Sequence, residues 1–158
     1  KGEWEPRPDD RRRIAPKLES WKKDGGHIVV VPPADSWRKI IDFGDWTQRV
    51  CSTLKRHTQR KVIVLEKKGG FLDAMKRSWA VVVNCSVAGV EAAIAGYPVF
   101  CEPLCPAYPV ASNDYSKIET PLYPDREEWL NSLCYAQWNI KEFGEVRRAY
   151  LGSHYVQP

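Results

Sequence analysis

Val81-Val82-Val83-Asn84-Cys85-Ser86-Val87-Ala88-Gly89-Val90-Glu91-Ala92-Ala93-Ile94-Ala95-Gly96-Tyr97-Pro98-Val99-Phe100 is the stretch whose reading decides the fold. Three consecutive valines predict a strand buried on both faces. Ser86 suits the N-cap of a short helix running to Ala95, Gly96 stops that helix, and a second strand follows from Pro98. A strand that enters a helix through small residues gathers backbone N–H groups and the positive end of the helix dipole at one spot, which attracts an anion such as phosphate. Glu91, about one and a half turns further on, is placed to reach back over the same mouth toward a hydroxyl. The plainer alternative is that Ser86 only caps, Gly89 lets the helix pack closely on the sheet, and Glu91 is solvated.

Outward from this stretch the chain alternates regularly. His27-Ile28-Val29-Val30-Val31 is a continuous apolar run ending at Pro32-Pro33, and Lys61 to Glu66 carries the next one. Between them, Asp45 to His57 sets Trp46, Val50, Leu54 and His57 on one helical stripe. Gly69-Gly70 turns the chain into a short helix, Phe71 to Arg77, and Ser78-Trp79-Ala80 leads into the valine strand. Strands separated by helices imply right-handed crossovers and a parallel sheet. The expected fold is therefore α/β: a Rossmann-like three-layer domain with a mostly parallel sheet of four or five strands. Residues 1–26 read as a linker or N-terminal arm, with Trp4 and Trp21 needing something to pack against. Residues 27–140 form the expected domain, and 141–158 a C-terminal helix and tail. A proline-studded loop spans 102–124, and Asp125 caps a helix that continues through Trp138.

Length and composition bound the function classes. At 158 residues there is room for one domain with a real core. Hydrophobic residues at 43%, charged residues at 28% and a net charge of +4 describe a globular protein whose basic residues are scattered between elements. No apolar run approaches the ~20 residues of a membrane span, and no apolar stretch follows the basic start. The expected location is cytoplasmic. Five cysteines, an odd number, argue against a disulfide scaffold. Cys101 and Cys105 lack a second ligand pair and the three histidines show no ligand spacing, so no metal site is expected. A nucleic-acid partner is disfavoured because no binding motif or concentrated basic stripe is present.

Open parallel sheets bind ligands beyond the carboxyl ends of their strands. The loops there run through Pro33, Ala34 and Ser36, through Asn84 to Ser86, and through Glu102 and Pro103 toward Cys105 and Pro106; Lys67 and Lys68 close the second strand on the same side. Trp37 is an aromatic able to stack on a base, although core packing is the safer default. No catalytic constellation emerges. The surroundings of Ser86 lack a Gly-x-Ser-x-Gly elbow, Cys85 has no histidine that the sequence places beside it, and nothing singles out Asp35 or Asp42. Asp125, Glu127 and Glu128 read as a charged helix start.

The Ser86-x-x-Gly89-x-Glu91-Ala92 motif, followed by Gly96-x-Pro98-Val99, resembles the donor-binding half of GT-B-type glycosyltransferases and the related UDP-sugar 2-epimerases. The capsule-polysaccharide type is the most similar, and the Ile118-Glu119-x-Pro121 and Pro124-Asp125-Arg126 runs resemble phage and bacterial proteins of no assigned chemistry. The likeness covers roughly residues 20–145. It implies a nucleotide sugar as ligand and substrate, with no separate cofactor. It assigns the diphosphate to Asn84, Ser86, Val87 and Gly89 and the ribose or sugar to Glu91, while the loops at the strand ends give Pro33, Ser36, Lys67, Glu102 and Pro103 supporting roles. Departing diphosphate would be stabilised by the helix start, with help from Lys67 or Lys68. GT-B enzymes have two such domains, and this chain carries only the second, so transfer is expected to need an acceptor-binding domain, another subunit or a homo-oligomer. The Gly-rich dinucleotide fingerprint is absent, as is the second serine of many relatives. The competing expectation is a non-catalytic α/β protein-interaction module that docks a partner on the 102–124 loop.

Overall fold

The structure, a computed structural model, describes residues 7–34, 44–65, 70–137 and 142. Four parallel strands form one sheet: β1 (His27–Val31), β2 (Lys61–Val64), β3 (Ser78–Val83) and β4 (Val99–Cys101), in the order β2-β1-β3-β4. They alternate with helices α1 (Trp46–His57), α2 (Phe71–Met75) and α3 (Ala88–Ile94); a further helix, α4, spans Glu127–Tyr135. The expected Rossmann-like parallel sheet is present, with four strands.

The layering follows from strand parity. In β1 and β3, Ile28, Val30, Ala80 and Val82 join Phe100 and Ile118 in a buried cluster with Trp46, Val50 and Leu54 of α1. The opposite face of β3 meets α3, where Val83 lies against Gly89. Burying each such aliphatic side chain contributes about 1.5–3 kcal/mol, and only a strand covered on both faces collects that from every residue. The register slips by one residue between His27 and Ile28, leaving Trp79 extra in β3. Such an irregularity re-aims a side chain. Trp79 packs beside the α1-side cluster, donates its indole N–H to the Ile118 carbonyl at 2.7 Å and carries the Arg60 guanidinium 4.0 Å above its ring. His57, expected on the buried stripe, is exposed. It stands with Lys55 and Arg56 in the last turn of α1, where cations favour the helix dipole.

Two compact units are present: Lys17–Arg126, and Lys1–Pro16 together with Glu127–Pro158. The arm expected over 1–26 is thus divided between them. Its second part is tied into the sheet unit, the Glu19 amide donating to Ile94 O at 3.0 Å and the Lys22 amide to Gly96 O at 2.7 Å. Trp21 donates to the Pro124 carbonyl at 2.9 Å and lies under the Arg126 guanidinium at 3.8 Å; Arg126 also donates to the carbonyls of Ala93 and Glu19. Ile118 is fully buried, and Glu119 accepts from Arg60 and Thr58. The 118–121 and 124–126 runs therefore hold the arm and the sheet together. In the other unit, buried Arg11 donates to the carbonyls of Cys134 and Gln137 at the end of α4 and pairs with Glu142 at 3.2 Å, satisfying groups that a helix end leaves open. Apart from Glu142, the tail expected over 141–158 lies outside the described residues.

Gly96 has φ +81°, and a Cβ there would overlap the Ser20 carbonyl oxygen. Gly96→Ala is expected to lower the unfolding free energy by ~2 kcal/mol or more, seen as a lower urea midpoint at unchanged slope. An unchanged midpoint would mean that the arm does not lie against this turn.

Candidate functional site

Sheet order and helix placement create one special location. The chain leaves β1 through α1 toward β2 and leaves β3 through α3 toward β4, with α1 and α3 on opposite faces. The connections after β1 and β3 consequently diverge and leave a crevice at the carboxyl ends of the strands, the topological switch point at which α/β sheets bind ligands. A cleft of about 550 Å³ opens there, lined by Pro33 and Ala34 after β1, Cys85, Ser86 and Val87 after β3, and Leu104 and Pro106 after β4. All three loops selected from the sequence contribute. The walls are mostly apolar and stiffened by two prolines, a surface suited to a flat ring.

Among the lining residues, Cys85 and Ser86 carry polar side chains. The Ser86 hydroxyl accepts from the Ala88 amide at 3.2 Å, and the Ser86 carbonyl accepts from the Gly89 amide at 3.0 Å. The Glu91 amide is taken by Val87 O at 3.1 Å. Among the described residues, the amides of Ser86 and Val87 donate to nothing. Val87, not Ser86, is the N-cap of α3; Ser86 stands one residue earlier, its hydroxyl taking the first helical amide, and the amides of Ser86 and Val87 are left without a partner among the described residues.

Gly89 is buried, and a Cβ there would stand 2.9 Å from Val83 Cγ2, 3.2 Å from Cys105 Sγ and 3.4 Å from Ala107 Cβ. Its observed role is close packing between α3, the sheet and the loop after β4. Glu91 is exposed on α3, and neither it nor Pro103 lines the cleft. Asn84 is 2% exposed with its Oδ1 unpartnered. Ser36, Trp37, Asp35, Asp42, Lys67 and Lys68 lie outside the described residues.

Glu102, half-buried one residue beyond β4, is held by two side-chain donors. Its Oε1 accepts from Trp46 Nε1 and from Tyr115 OH, each at 2.8 Å. Burial, then the bond to Glu102, push the Tyr115 phenol well above its ordinary range, so it stays a protonated donor. From sequence Trp46 was readable only as a core position, and Tyr115 gave no signal, because its partner is 13 residues away around a loop.

Three thiols meet under the cleft. The Cys105 thiol donates to Ser86 O at 3.6 Å, and its hydrogen bond with Cys101 raises the Cys101 thiol and lowers that of Cys105. Burial, helped by Cys105, raises the Cys85 thiol. Among the described residues no group of three His, Cys, Asp or Glu side chains is placed to hold a metal ion, and no helix is long and apolar enough to cross a membrane. A second depression, lined by Lys22, Asp24, Gly25, Gly26, Arg77 and Tyr97, lies at the amino ends of the strands, away from the switch point.

Compared with known protein families, curated proteins and solved structures, the chain matches none.

Of the five cysteines, Cys51 and Cys85 are partly accessible and Cys101, Cys105 and Cys134 are buried. Ellman's reagent is expected to reach at most Cys51 and Cys85 in the native protein and all five thiols in guanidinium chloride. Because burial raises both accessible thiols, their reaction should still be accelerating as pH passes about 8.5, the midpoint of an ordinary thiol. Rapid native reaction of more than two thiols would contradict the packing described.

Proposed function

We propose that the switch-point cleft binds a nucleotide sugar, and that the chain acts as the donor-binding domain of a GT-B-like glycosyltransferase whose transfer step needs a second domain or subunit. The observation that carries this reading is the cleft itself: an apolar slot framed by Pro33, Leu104 and Pro106 beside the open amides of Ser86 and Val87. A base or other flat ring fits the slot, and a diphosphate fits the two N–H groups, which need no side chain to hold an anion. The Ser86-to-Val99 motif, with its likeness to the diphosphate turn of those transferases, supports the same assignment.

Val87 has φ −56°, a value proline adopts, and it precedes the first residue of α3. Val87→Pro therefore removes one open amide at a position where the helix tolerates proline. Loss of one hydrogen bond to a charged group, about 1.5–3 kcal/mol, predicts a roughly 10- to 100-fold weaker affinity by calorimetry, with the melting temperature of the free protein nearly unchanged. Wild-type protein should melt higher with UDP, GDP, ADP or CDP or their sugars, and Cys85 alkylation should slow in their presence. No stabilisation by any of them sinks the proposal.

One observation favours a second reading, a protein-docking module. Leu104 is 72% and Val87 64% exposed, and both line the same cleft; apolar rims of this kind also suit peptides. Leu104→Asp would then abolish partner capture while the nucleotide panel leaves the melting temperature unmoved.

A further inference from the structure

In a parallel sheet every segment that leads into a strand arrives at the same end. Many of the basic residues of this chain stand in such segments. Lys22 and Lys23 precede β1; Lys55, Arg56 and Arg60 lie between the last turn of α1 and β2, which opens on Lys61; Lys76 and Arg77 precede β3. The register sets His27 beside Lys61 on one side and Ser78 on the other. Neighbouring strands lie about 4.8 Å apart, so the backbones of Lys61 and Arg77 flank the start of β1 roughly 10 Å from each other. Charges that the sequence scatters over residues 22–77 are gathered by the fold into one row, from the end of α1 across the starts of β2, β1 and β3.

Part of the row is already engaged. Arg60 pairs with Glu119 at 3.0 Å, Lys76 with Asp73 at 2.8 Å, and Lys22 donates to the Ala95 carbonyl. Lys23, Lys55, Arg56, Lys61 and Arg77 are exposed and form no ion pair among the described residues, while Asp24 brings one exposed opposite charge. Unbalanced like charge on one surface opposes the compact state and attracts a polyanion. Arg77 carries a second mark. Its φ of +60° is left-handed backbone that glycine adopts freely and arginine adopts under strain. Its carbonyl accepts from the Gly26 amide at 3.0 Å, a bond that any residue makes, so the turn gains nothing from the side chain. Strain kept at an exposed cation points to a use for the charge. Arg77 also lines the depression of about 530 Å³ shared with Lys22, Asp24, Gly25, Gly26 and Tyr97, and a Cβ on Gly26 would meet nothing within 4 Å.

We infer that this end of the sheet docks the phosphodiester backbone of a nucleic acid, with Lys61 and Arg77 holding phosphates on either side of β1 and the depression seating one of them. A linear polyanion follows the row. On the β4 side the same end carries exposed Glu19, whose amide donates to Ile94 O, beside Tyr97 and Pro98; a flat anionic bilayer would have to meet that side as well. Contacts of this kind read charge spacing and not base sequence. The surface lies at the opposite end of the strands from the switch-point cleft, and the nucleotide-sugar reading does not depend on it.

The test is fluorescence anisotropy on the full chain with labelled oligothymidylate and oligouridylate of about 20 nucleotides and a DNA duplex of similar length, across salt concentrations. A single strand held by about four phosphate contacts should lose roughly fiftyfold in affinity between ~50 and ~200 mM KCl. Lys61→Ala combined with Arg77→Gly should cut that loss to roughly sevenfold and weaken binding at the lower salt. Arg77→Gly alone relieves the left-handed strain, so its urea midpoint should equal or exceed that of wild type while its affinity falls; a merely structural role for Arg77 would leave the affinity unmoved. Gly26→Glu, which adds the wrong charge in open space, should weaken binding as well. Stronger binding of either single strand or of the duplex names the form engaged. Equal affinity for polyglutamate, or flotation with phosphatidylserine vesicles without binding of any oligonucleotide, overturns the nucleic-acid assignment. No oligonucleotide binding at ~50 mM KCl, or a salt dependence that the double variant leaves unchanged, overturns the inference and leaves the cleft reading standing.

Discussion

Burial of β3 on both faces is the constraint on which the sheet unit depends. Ala80 and Val82 look toward α1 and Val83 toward α3, all of them fully buried. A strand with two apolar faces has no stable position at a solvent-facing surface, so helices must cover it from both sides. Once α1 and α3 lie on opposite faces, the connections that deliver them must part company at the carboxyl ends of β1 and β3. The cleft is the geometric residue of that parting, and the side chains along it were free to become something other than core.

Around this centre, the loop between β4 and α4 is structured by specific attachments. Ala107, Val110 and Ile118 are buried, Tyr115 reaches Glu102, and Ser112 bridges to Phe100. A segment of 23 residues (102–124) with five prolines is kept in place by burying a few apolar residues and by pairing Glu119 with Arg60. Such partly exposed pairs contribute little each; the buried Ile118 and the Trp79 bond to its carbonyl carry more of the attachment.

The α/β layering was legible because it is written in local periodicity: valine runs for β1 and β3, the i, i+4, i+8 spacing of Trp46, Val50 and Leu54 for α1, and Gly96 for the stop after α3. The loops that frame the cleft were legible for the same reason, since they follow from strand direction. The exposure of His57 was not, because a stripe on a helical wheel does not say where the covering sheet ends. Nor could the sequence separate Gly89 the packing residue from Gly89 the phosphate turn; the space is filled by Cys105 and Ala107, 16 and 18 residues later. The clamp on Glu102 joins residues 46, 102 and 115, a contact of tertiary origin with no local trace.

The Ser86 carbonyl receives both the Gly89 amide and the Cys105 thiol. One atom is therefore hinged to the α3 helix on one side and to the opposite rim on the other. The turn after β3 and the loop after β4 are therefore fastened at a single oxygen, and close packing at Gly89 leaves no gap between them.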